Sequence, residues 1–466
     1  MTRLIACALA LGCAARPLRL PAEEIRFPAA AIEDPQDRAL VEALAGHARA
    51  MAAKLTPERF AAQRETEMLC WVEFPQMDVL LAAYELTGDV EHLRGFAQAL
   101  SNLLPLLRTA PDGFQGWIGP FIESRRDPKD PNAEADEIQK SFRAITIFSR
   151  FLEIIEREER LRAEFGAWRP RLLDLMENHL AKKWDARGHW MDLDERGGIY
   201  RLNDVHYRPT ISMPWEKLVF PVQGMLALYR VTGRDDYLRR AAAMGTLFKR
   251  TLVLEDGRYL WYRWVPFGDW DIHPEKPGRW ASWIGHSPLA QWYRAEVDIA
   301  VDLYHHGLVF DRTDMDRFIR TQMEVAWNGD PDSPVFRMIH GKPSDRPNQQ
   351  FLAEALAPFD ARLADFCFVH RRAARLENRT NEWQGGVLAR EWLRQKFLVM
   401  PAAAGGAPAY ARFGERFREK PENRAWLERI AFQVVPPGFR MPMTPAEMNP
   451  MPRAPADPRP KGDAHD

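Results

Sequence analysis

The chain has 466 residues, of which 46% are hydrophobic and 28% charged, a composition typical of a packed globular protein rather than a disordered one. Its 64 basic and 65 acidic residues give a formal net charge of -1. That balance excludes a protein that binds nucleic acid through an overall basic surface, so nucleic acid is not an expected partner.

The first 22 residues predict an export signal. Arg3 precedes a short apolar run and then small residues, which is the layout of a bacterial signal peptide. The run is too short to span a bilayer, and no later stretch is long and apolar enough for a membrane helix. Residues 10–13 resemble a lipoprotein cleavage box, with Cys13 as the anchor. We therefore expect a periplasmic protein, an outer-membrane lipoprotein or a secreted protein; the alternative is a short N-terminal helix.

Two stretches of the sequence repeat one pattern. Residues 74–94 read FPQMDVLLAAYELTGDVEHLR, and residues 220–239 read FPVQGMLALYRVTGRDDYLR. Proline favours the first turn of a helix and glycine the residue after its end, so the prolines are predicted to begin helices and the glycines to end them. These residues are Pro75, Pro221, Gly88 and Gly233. Each unit is therefore predicted to be a helical hairpin.

Other segments have helical periodicity without the motif, and two short ones have strand character. The helical segments are 147–180, 289–307, 311–327, 351–377 and 381–397; the strand segments are 188–195 and 258–266. Paired helices that recur along most of the chain predict an all-α fold, an incomplete or closed (α/α) toroid of helical hairpins with a few short β-hairpin pieces. The spacing is too irregular for a solenoid with a short fixed repeat, which is the second choice.

The toroid is expected to cover residues 23–433, and residues 434–466 form a proline-rich tail that is expected to be extended, partly disordered or wrapped over the helices. Outside the signal only Cys70 and Cys367 remain, which allows one disulfide or two buried thiols. No spacing typical of a zinc site is present, and no metal or cofactor is expected.

Charged and aromatic residues precede both repeats. Trp71 and Glu73 come just before the first Phe-Pro pair, and Glu216 and Lys217 come just before the second. If the prolines start inner helices of a ring, these side chains lie on one rim and are predicted to line a substrate cleft. Glu137, near the start of another helix, is predicted to line the same cleft. The alternative is that the tryptophans belong to the core and the charges to the solvated surface.

The loop RLNDVHYRPT, residues 201–210, is dense in polar and titratable side chains: Asn203, His206, Tyr207 and Arg208. Such loops are more often functional than structural. The loop lies directly upstream of Glu216, so it is predicted to contribute to the same cleft.

The stretch WASWIGHSPLAQWYRAE, residues 281–297, combines Trp283, His286, Trp292, Tyr293 and Arg294 at the start of a predicted helix, which Ser287 is predicted to cap. A helix N-terminus favours anions, and an adjacent arginine is expected to lower the tyrosine pKa towards that of a usable base. The alternative is a core tyrosine, an Arg294–Asp298 surface pair and a histidine with a structural role.

Export and 16 tryptophans suggest an acidic polysaccharide as substrate. Hydrolysis needs two carboxylates that flank the scissile bond. β-Elimination from a uronate instead needs a base for the C5 proton, an acid for the leaving oxygen, and positive or hydrogen-bonding groups that neutralise the carboxylate. Tyrosine, histidine, arginine and asparagine dominate the loops, so elimination is the predicted chemistry.

The FP…Y-x-x-TG repeat, the loop with Asn203, His206 and Tyr207, and the motif WIGHSPLAQWYR together resemble the α/α-toroid polysaccharide lyases that cleave uronate polymers such as alginate and glucuronan, with polysaccharide lyase family 38 the nearest. The resemblance covers roughly residues 40–400. It implies base and acid roles for Tyr293 or Tyr207, proton transfer by His206 or His286, and carboxylate binding by Arg294 or Arg208 with Glu216.

Two other functions stay open at this stage. One is a glycoside hydrolase on the same ring, for example an unsaturated uronyl hydrolase, with an acid pair drawn from Glu73, Glu137, Asp204 and Glu216. The other is a non-catalytic glycan-binding protein, which would use the tryptophans but need no tyrosine–histidine pair. The oligomeric state is not predicted.

Overall fold

The computed structural model describes residues 27–62, 68–120, 130, 134–202, 210–287, 291–343, 353–370, 390–403, 406–430 and 441–448. Within these ranges the chain is mostly helical, with small two-stranded hairpins, which confirms the all-α prediction in its coarse form. The predicted export signal lies outside the described residues. In the described ranges we find no helix that combines the length and the apolar character needed to cross a bilayer.

The α-helices are named in chain order. They are α1 (Pro35–Lys54), α2 (Pro57–Ala62), α3 (Phe74–Thr87), α4 (Glu91–Leu103), α5 (Ile138–Ile155), α6 (Glu159–Phe165), α7 (Trp168–Asp174), α8 (Lys182–Ala186), α9 (Trp215–Thr232), α10 (Asp235–Arg250), α11 (Gln291–His305), α12 (Arg312–Arg320), α13 (Ala361–Asp365), α14 (Met400–Ala402), α15 (Ala411–Glu419) and α16 (Pro421–Ile430). π-Helical turns occur at Leu69–Glu73, Leu175–Ala181, Thr321–Ala326, Phe366–His370 and Gln395–Val399, and residues 390–394 are helical. Short 3-10 turns occur at Pro28–Ala31, Leu104–Leu106, Asp194–Arg196, Asp269–Asp271, Glu354–Phe359 and Pro445–Met448.

The strands form antiparallel pairs and no larger sheet among the described residues. They are β1 (Arg108–Thr109) with β2 (Gln115–Gly116), β3 (Gly119–Pro120) with β4 (Glu134–Ala135), β5 (Trp190–Asp192) with β6 (Gly198–Tyr200), β7 (Val253–Glu255) with β8 (Arg258–Leu260), and β9 (Ile272–His273) with β10 (Lys276–Trp280). The two predicted strand segments therefore correspond to β5 and β8.

The repeated motif forms two helical hairpins, α3–α4 and α9–α10, as predicted. Gly88 and Gly233 end their helices with left-handed φ angles of 76° and 70°, a conformation that costs glycine little. The prediction that Pro221 begins a helix is wrong, because α9 begins at Trp215 and Pro221 lies inside it. Before Pro75 the chain is already helical through the π-helical turn Leu69–Glu73. In both units the helix thus extends beyond the Phe-Pro pair.

Three of the core helices run side by side in the same direction. Between α5 and α9, the site of Gly224 lies against Phe142 and, further along both helices, the Arg230 guanidinium bonds to Glu153 at 2.8 Å. Between α9 and α11, Gln223 donates to Asp302 at 2.8 Å, and Arg230 lies 3.2 Å from His306. Because residue numbers rise together on each pair, the N-termini of these helices lie at one end of the molecule.

A buried group of charges connects α3 to both α5 and the 390–394 segment. Asp78 pairs with Arg150 and, at 2.8 Å, with Arg390, while Arg150 also pairs with Glu85. Arg390 donates to the Pro75 carbonyl at 3.2 Å although 315 residues separate the two. The two guanidinium groups hold the pKa of the Asp78 carboxyl below its usual range despite its burial.

The two cysteines outside the predicted signal do not form a disulfide. Cys70 and Cys367 are both buried thiols, which decides between the two alternatives that the sequence allowed. In the tail, residues 441–448 pack against the β9–β10 hairpin, where the Trp280 indole donates to the Pro442 carbonyl at 3.1 Å. This described part of the tail is therefore packed onto the β9–β10 hairpin.

Helix α15 docks on the end of α11 through a glycine, and this contact gives a first test of the packing. A Cβ atom on Gly414 would overlap the backbone carbonyl of His306, whereas one on the exposed Gly46 in α1 would meet nothing within 4 Å. Both glycines lie inside helices, so alanine improves helix propensity equally at the two sites, by about 0.5–1 kcal/mol. We expect Gly46→Ala to raise the free energy of unfolding by about that amount and Gly414→Ala to lower it by about 1–3 kcal/mol. Urea denaturation measures both. Equal stabilisation by the two variants would contradict the observed contact.

Candidate functional site

A cluster of polar and aromatic side chains lies where α9 and α11 begin, and three chain segments build it. Backbone hydrogen bonds tie the segments together: the Trp215 amide donates to the Arg263 carbonyl at 3.1 Å, and the Arg263 amide donates to the Gly285 carbonyl at 2.8 Å. The first turn of α9, residues 261–264 and residues 283–287 are therefore fixed relative to one another. Together with the first turns of α11 they form what we call the α9–α11 site.

Glu216, in the first turn of α9, is 4% exposed and forms an ion pair with Arg263. Its other oxygen, Oε2, is buried and has no hydrogen-bond partner among the described residues. Burial raises the pKa of the Glu216 carboxyl, and the positive charges of Arg263 and Lys217 oppose that rise. The Arg263 guanidinium also lies over the Trp292 ring at 4.8 Å, and its buried Nε has no partner in the described chain. The ion pair thus leaves one acceptor and one donor unused.

A second carboxyl, Glu296, lies close enough to Glu216 to affect its ionisation. Its Oε1 accepts from the Ser287 hydroxyl at 2.5 Å, and its Oε2 accepts from the Trp261 indole at 2.8 Å. Burial, and next the charge of Glu216, raise the pKa of Glu296 to about 8. Glu296 therefore holds a proton at neutral pH while both of its oxygens stay engaged by the protein.

Tyr293 is brought next to Glu296 but is enclosed by the core. Its side chain is 0% exposed and stacks on Trp261 with ring centroids 5.7 Å apart. Burial, and then the charge of Glu296, raise the pKa of the Tyr293 phenol. This corrects the expectation that a neighbouring arginine would lower it. A phenol in this environment stays protonated at neutral pH and is a poor base.

His286 lies at the same site with a defined orientation. Its Nδ1 is 2.5 Å from the Trp261 carbonyl, which can only accept, so Nδ1 carries the proton and Nε2 presents a lone pair. The ring stacks on Tyr262 at 4.6 Å and lies 4.7 Å from the His340 ring. Burial lowers the pKa of the His286 imidazole, so the ring is neutral at pH 7. The geometry therefore supplies a neutral imidazole whose Nε2 can accept a proton.

Arg294 points away from this group. Its guanidinium lies 3.5 Å from Glu354, and its surroundings include Asp298 rather than Glu216. Positions 293 and 296 share one face of α11, and positions 294 and 298 share another. The structure thus separates Arg294 from Tyr293, and Arg263 occupies the place beside Glu216 that the resemblance implied for Arg294.

The remaining sequence-predicted residues fall into two groups. Trp283 is 55% exposed at the α9–α11 site, where Lys217 and Trp292 also lie. Trp71 is partly exposed and packs edge-on against Phe220 at 5.2 Å, one turn further along α9. It therefore borders the site from the side of α3.

Glu73 and Glu137 are held by their own local partners. Glu73 is fully buried and accepts from Arg59 at 2.9 Å, and burial raises the pKa of its carboxyl. Glu137 is 3% exposed and accepts from Gln139 at 2.7 Å. Next to it, burial lowers the pKa of the Lys140 ammonium to about 8. No contact joins either glutamate to Glu216 among the described residues.

Asn203, His206, Tyr207 and Arg208 lie outside the described residues, as does Asp204. The chain on either side of them is well defined: the Leu202 amide donates to the Ile211 carbonyl at 2.8 Å. Ser212 then donates to buried Asp271 through both its amide and its hydroxyl, each at 2.7 Å. Because Ser212 precedes Glu216 by four residues, the described chain from Thr210 onward leads directly into the α9–α11 site.

Three residues of the site are missing from the sequence-based prediction. Arg263 lies in the segment that was assigned only strand character, and Glu296 follows Tyr293 by three positions, a spacing that places both on one helical face. That spacing is a signal that sequence reasoning can use. His340 lies in an irregular segment with no motif, and only the fold brings it to His286.

Known proteins give no independent identification of this site. Comparison of the chain with protein-family models, with curated proteins and with solved structures finds no significant match. What the site does must therefore be argued from its geometry and chemistry.

The buried Glu296 predicts a specific dependence of stability on pH. Its pKa is raised from 4.5 to about 8 in the folded protein, so its contribution to folding is complete below pH 4.5 and is lost as the pH rises to about 8. Over that window the free energy of unfolding should fall by at most about 1.4 kcal/mol per pH unit because of this group. Glu296→Gln, a neutral mimic of the protonated acid, should remove this slope and become increasingly more stable than the wild type as the pH rises.

Denaturant titrations across the window measure the slope, and Glu42→Gln, a change at an exposed glutamate, is the control that should follow the wild type. Identical slopes for the wild type and Glu296→Gln would mean that Glu296 is ionised in the fold.

Proposed function

We propose that the protein is a polysaccharide lyase that cleaves a uronic-acid-containing polysaccharide by β-elimination at the α9–α11 site. The observation that carries the proposal is the orientation of His286, whose Nδ1 proton is held by the Trp261 carbonyl so that Nε2 can act as a base. The segment that holds His286 is hydrogen-bonded to Arg263, the partner of Glu216, through the Gly285 carbonyl. Elimination from a uronate needs a neutral base and a positive group for the carboxylate, and the segments 283–287 and 261–264 supply one each.

We further propose that the helices form an (α/α) toroid. The common direction of α5, α9 and α11 supports this arrangement, since each is followed by a further helix on the way to the next. The contacts of Arg390 with Asp78 and Pro75 support it as well, because they join the last described inner segment to the first repeat. In such a ring the α9–α11 site lies at the end where the inner helices begin, and their positive N-termini favour an anionic substrate.

In the proposed reaction His286 Nε2 takes the proton from C5 of the uronate. The electron pair of that C–H bond forms the double bond between C4 and C5, and the bond from C4 to the glycosidic oxygen breaks. The imidazolium returns its proton to the departing oxygen, so the step balances with one catalytic residue. The lowered pKa of His286 keeps the base form present at neutral pH.

The uronate carboxylate must be neutralised while the C5 proton leaves, because negative charge accumulates there. The positive groups proposed for this role are the Arg263 guanidinium, whose side chain is 16% exposed, and the Lys217 ammonium near Glu216. Glu216 keeps Arg263 in position through their ion pair. Trp283 and Trp292 offer aromatic faces for the sugar rings.

A hydrolase remains the second candidate, because Glu216 has a raised pKa and an unpartnered oxygen. A hydrolase would also need a second carboxylate that reaches the substrate. Glu296 is 0% exposed and both of its oxygens bind protein donors, so it does not flank a substrate bond as the second carboxylate of a glycosidase does. Export, as the N-terminal sequence suggests, agrees with a polymeric extracellular substrate for either enzyme.

The proposal predicts the outcome of an assay on a panel of uronate polymers, including alginate and glucuronan. The wild type should generate the ultraviolet absorbance of unsaturated uronates, and His286→Gln should lower kcat by about 100-fold or more while binding persists. His370→Gln, at a histidine far along the chain in a partly exposed position, is the matched control and should retain full activity. New reducing ends without the absorbance would establish hydrolysis instead, and binding without either product would establish a binding protein.

Tyr293 gives a second prediction, since the resemblance implies that it is catalytic whereas its burial argues that it is not. The phenol is enclosed and its hydroxyl has no partner among the described residues, so Tyr293→Phe removes an unsatisfied polar atom from the core. We expect kcat/KM within about threefold of the wild type and an unchanged or slightly raised free energy of unfolding. If Tyr293→Phe loses as much product formation as His286→Gln, Tyr293 is a catalytic residue and this prediction is contradicted.

A further inference from the structure

Arg143 has no ion-pair partner among the described residues. It lies in the second turn of α5, is partly exposed, and forms no hydrogen bond or ion pair with any part of the chain that the structure describes. Its guanidinium lies over the ring of Phe220 at 5.6 Å. Arginines in protein interiors are normally paired, so an unpaired one calls for an explanation.

The acidic groups nearest to Arg143 are already committed to other arginines. Arg143 affects the ionisation of Asp78 and Arg390, which places it beside the buried charges of α3. There Asp78 is shared by Arg150 and Arg390. Arg143 therefore adds a positive charge that no described residue pairs with.

A second side chain contacts the ring that Arg143 covers. Trp71 is partly exposed and packs edge-on against the same Phe220 ring at 5.2 Å. A guanidinium and a tryptophan that share one phenylalanine ring match the two parts of a charged sugar, whose carboxylate binds arginine and whose ring face stacks on an aromatic side chain.

The position of this pair relative to the α9–α11 site follows from helix geometry. Arg263 binds α9 at Glu216 and Arg143 lies over α9 at Phe220, four residues later. Four residues advance about 6 Å along a helix, which is comparable to the length of one sugar residue in a glycan chain. The points at which the two arginines contact α9 are thus about one sugar residue apart along the helix axis.

We propose that Arg143 and Trp71 form a second carboxylate-binding subsite, so that the protein takes polymers with uronates on consecutive sugars rather than isolated uronates among neutral ones. This inference rests on the proposed function, since it extends the same cleft by one sugar. It assigns Arg143 the carboxylate of the sugar next to the one that binds Arg263.

The test measures binding by calorimetry rather than turnover, with glucuronate and mannuronate oligomers of one to four residues as probes. For the wild type, affinity should rise at least tenfold from the monomer to the longer oligomers. Arg143→Met, which keeps an apolar stem over Phe220, should bind the monomer as the wild type does but should not bind longer oligomers more tightly. Arg143→Lys should recover part of the increase in affinity with oligomer length. The matched control is Arg171→Met, because Arg171 also lies 5.6 Å from an aromatic ring, that of Trp168, but on an exposed outer helix.

Wild-type affinity of Arg143→Met for every oligomer would overturn the subsite, as would an absence of oligomer binding by the wild type. Unfolding curves show whether Arg143→Met is folded. If it is not, the oligomer affinity of Arg143→Lys is the measurement that tests the subsite. The two proposals can fail separately. If oligomer binding depends on Arg143 but no unsaturated product forms, the subsite proposal is supported and the elimination proposal is contradicted.

Discussion

The ion pairs of Asp78 are the constraint on which the rest of the architecture depends. They join α3 to α5 through Arg150 and to the 390–394 segment through Arg390, a contact between chain regions more than 300 residues apart. Removing two arginines and an aspartate from water is costly, and the pairs stabilise the fold only if all three groups are placed together. Any arrangement of the helices that separates them leaves a charge buried alone. The network therefore favours one packing of these helices over its alternatives more than it adds to net stability.

With the helices held in that packing, the first turns of α9 and α11 meet at one end, where one ion pair has unused polar atoms on both partners. In the interior, buried charges have partners on neighbouring helices, as Arg230 does with Glu153. At the end, Glu216 Oε2 and Arg263 Nε are buried yet unused by the described chain. Proteins rarely leave such groups unsatisfied without a reason, and the usual reason is a ligand. Single unpaired atoms occur elsewhere too, such as Arg390 Nε and Asp235 Oδ1, whereas in the Glu216–Arg263 ion pair both partners have one.

Local features of the fold were predictable from sequence because they depend on local chemistry. Gly88 and Gly233 end helices since glycine accepts the left-handed conformation, and the repeat that contains them forms two hairpins as predicted. The start of α9 was not predictable by the same logic. A proline inside a helix loses one hydrogen bond, and the tertiary contacts of α9 outweigh that loss at Pro221. Predictions from turn and cap residues hold where no packing competes with them.

The candidate site was predictable only in part, for a reason that concerns helix phase. The motif WIGHSPLAQWYR contains the right residue types, but the sequence does not state which face of α11 meets α9. In the structure Tyr293 and Glu296 face α9, whereas Arg294 faces Glu354. Adjacent positions on the helix thus point to different neighbours, and the sequence alone does not tell which position faces α9. The orientation of His286 does not depend on the rotation of α11, because His286 precedes the helix and its ring is held by the Trp261 carbonyl.

The same reasoning explains why Arg263 and Arg143 carried no signal in the sequence. Each is one arginine among many in the sequence. In the structure, each has a guanidinium nitrogen without a partner among the described residues, and each contacts the first two turns of α9. A residue type indicates what chemistry a chain has available, whereas the absence of an internal partner indicates where that chemistry faces a ligand. For a protein whose helices are held by paired charges, the unpaired ones are the most informative residues about function.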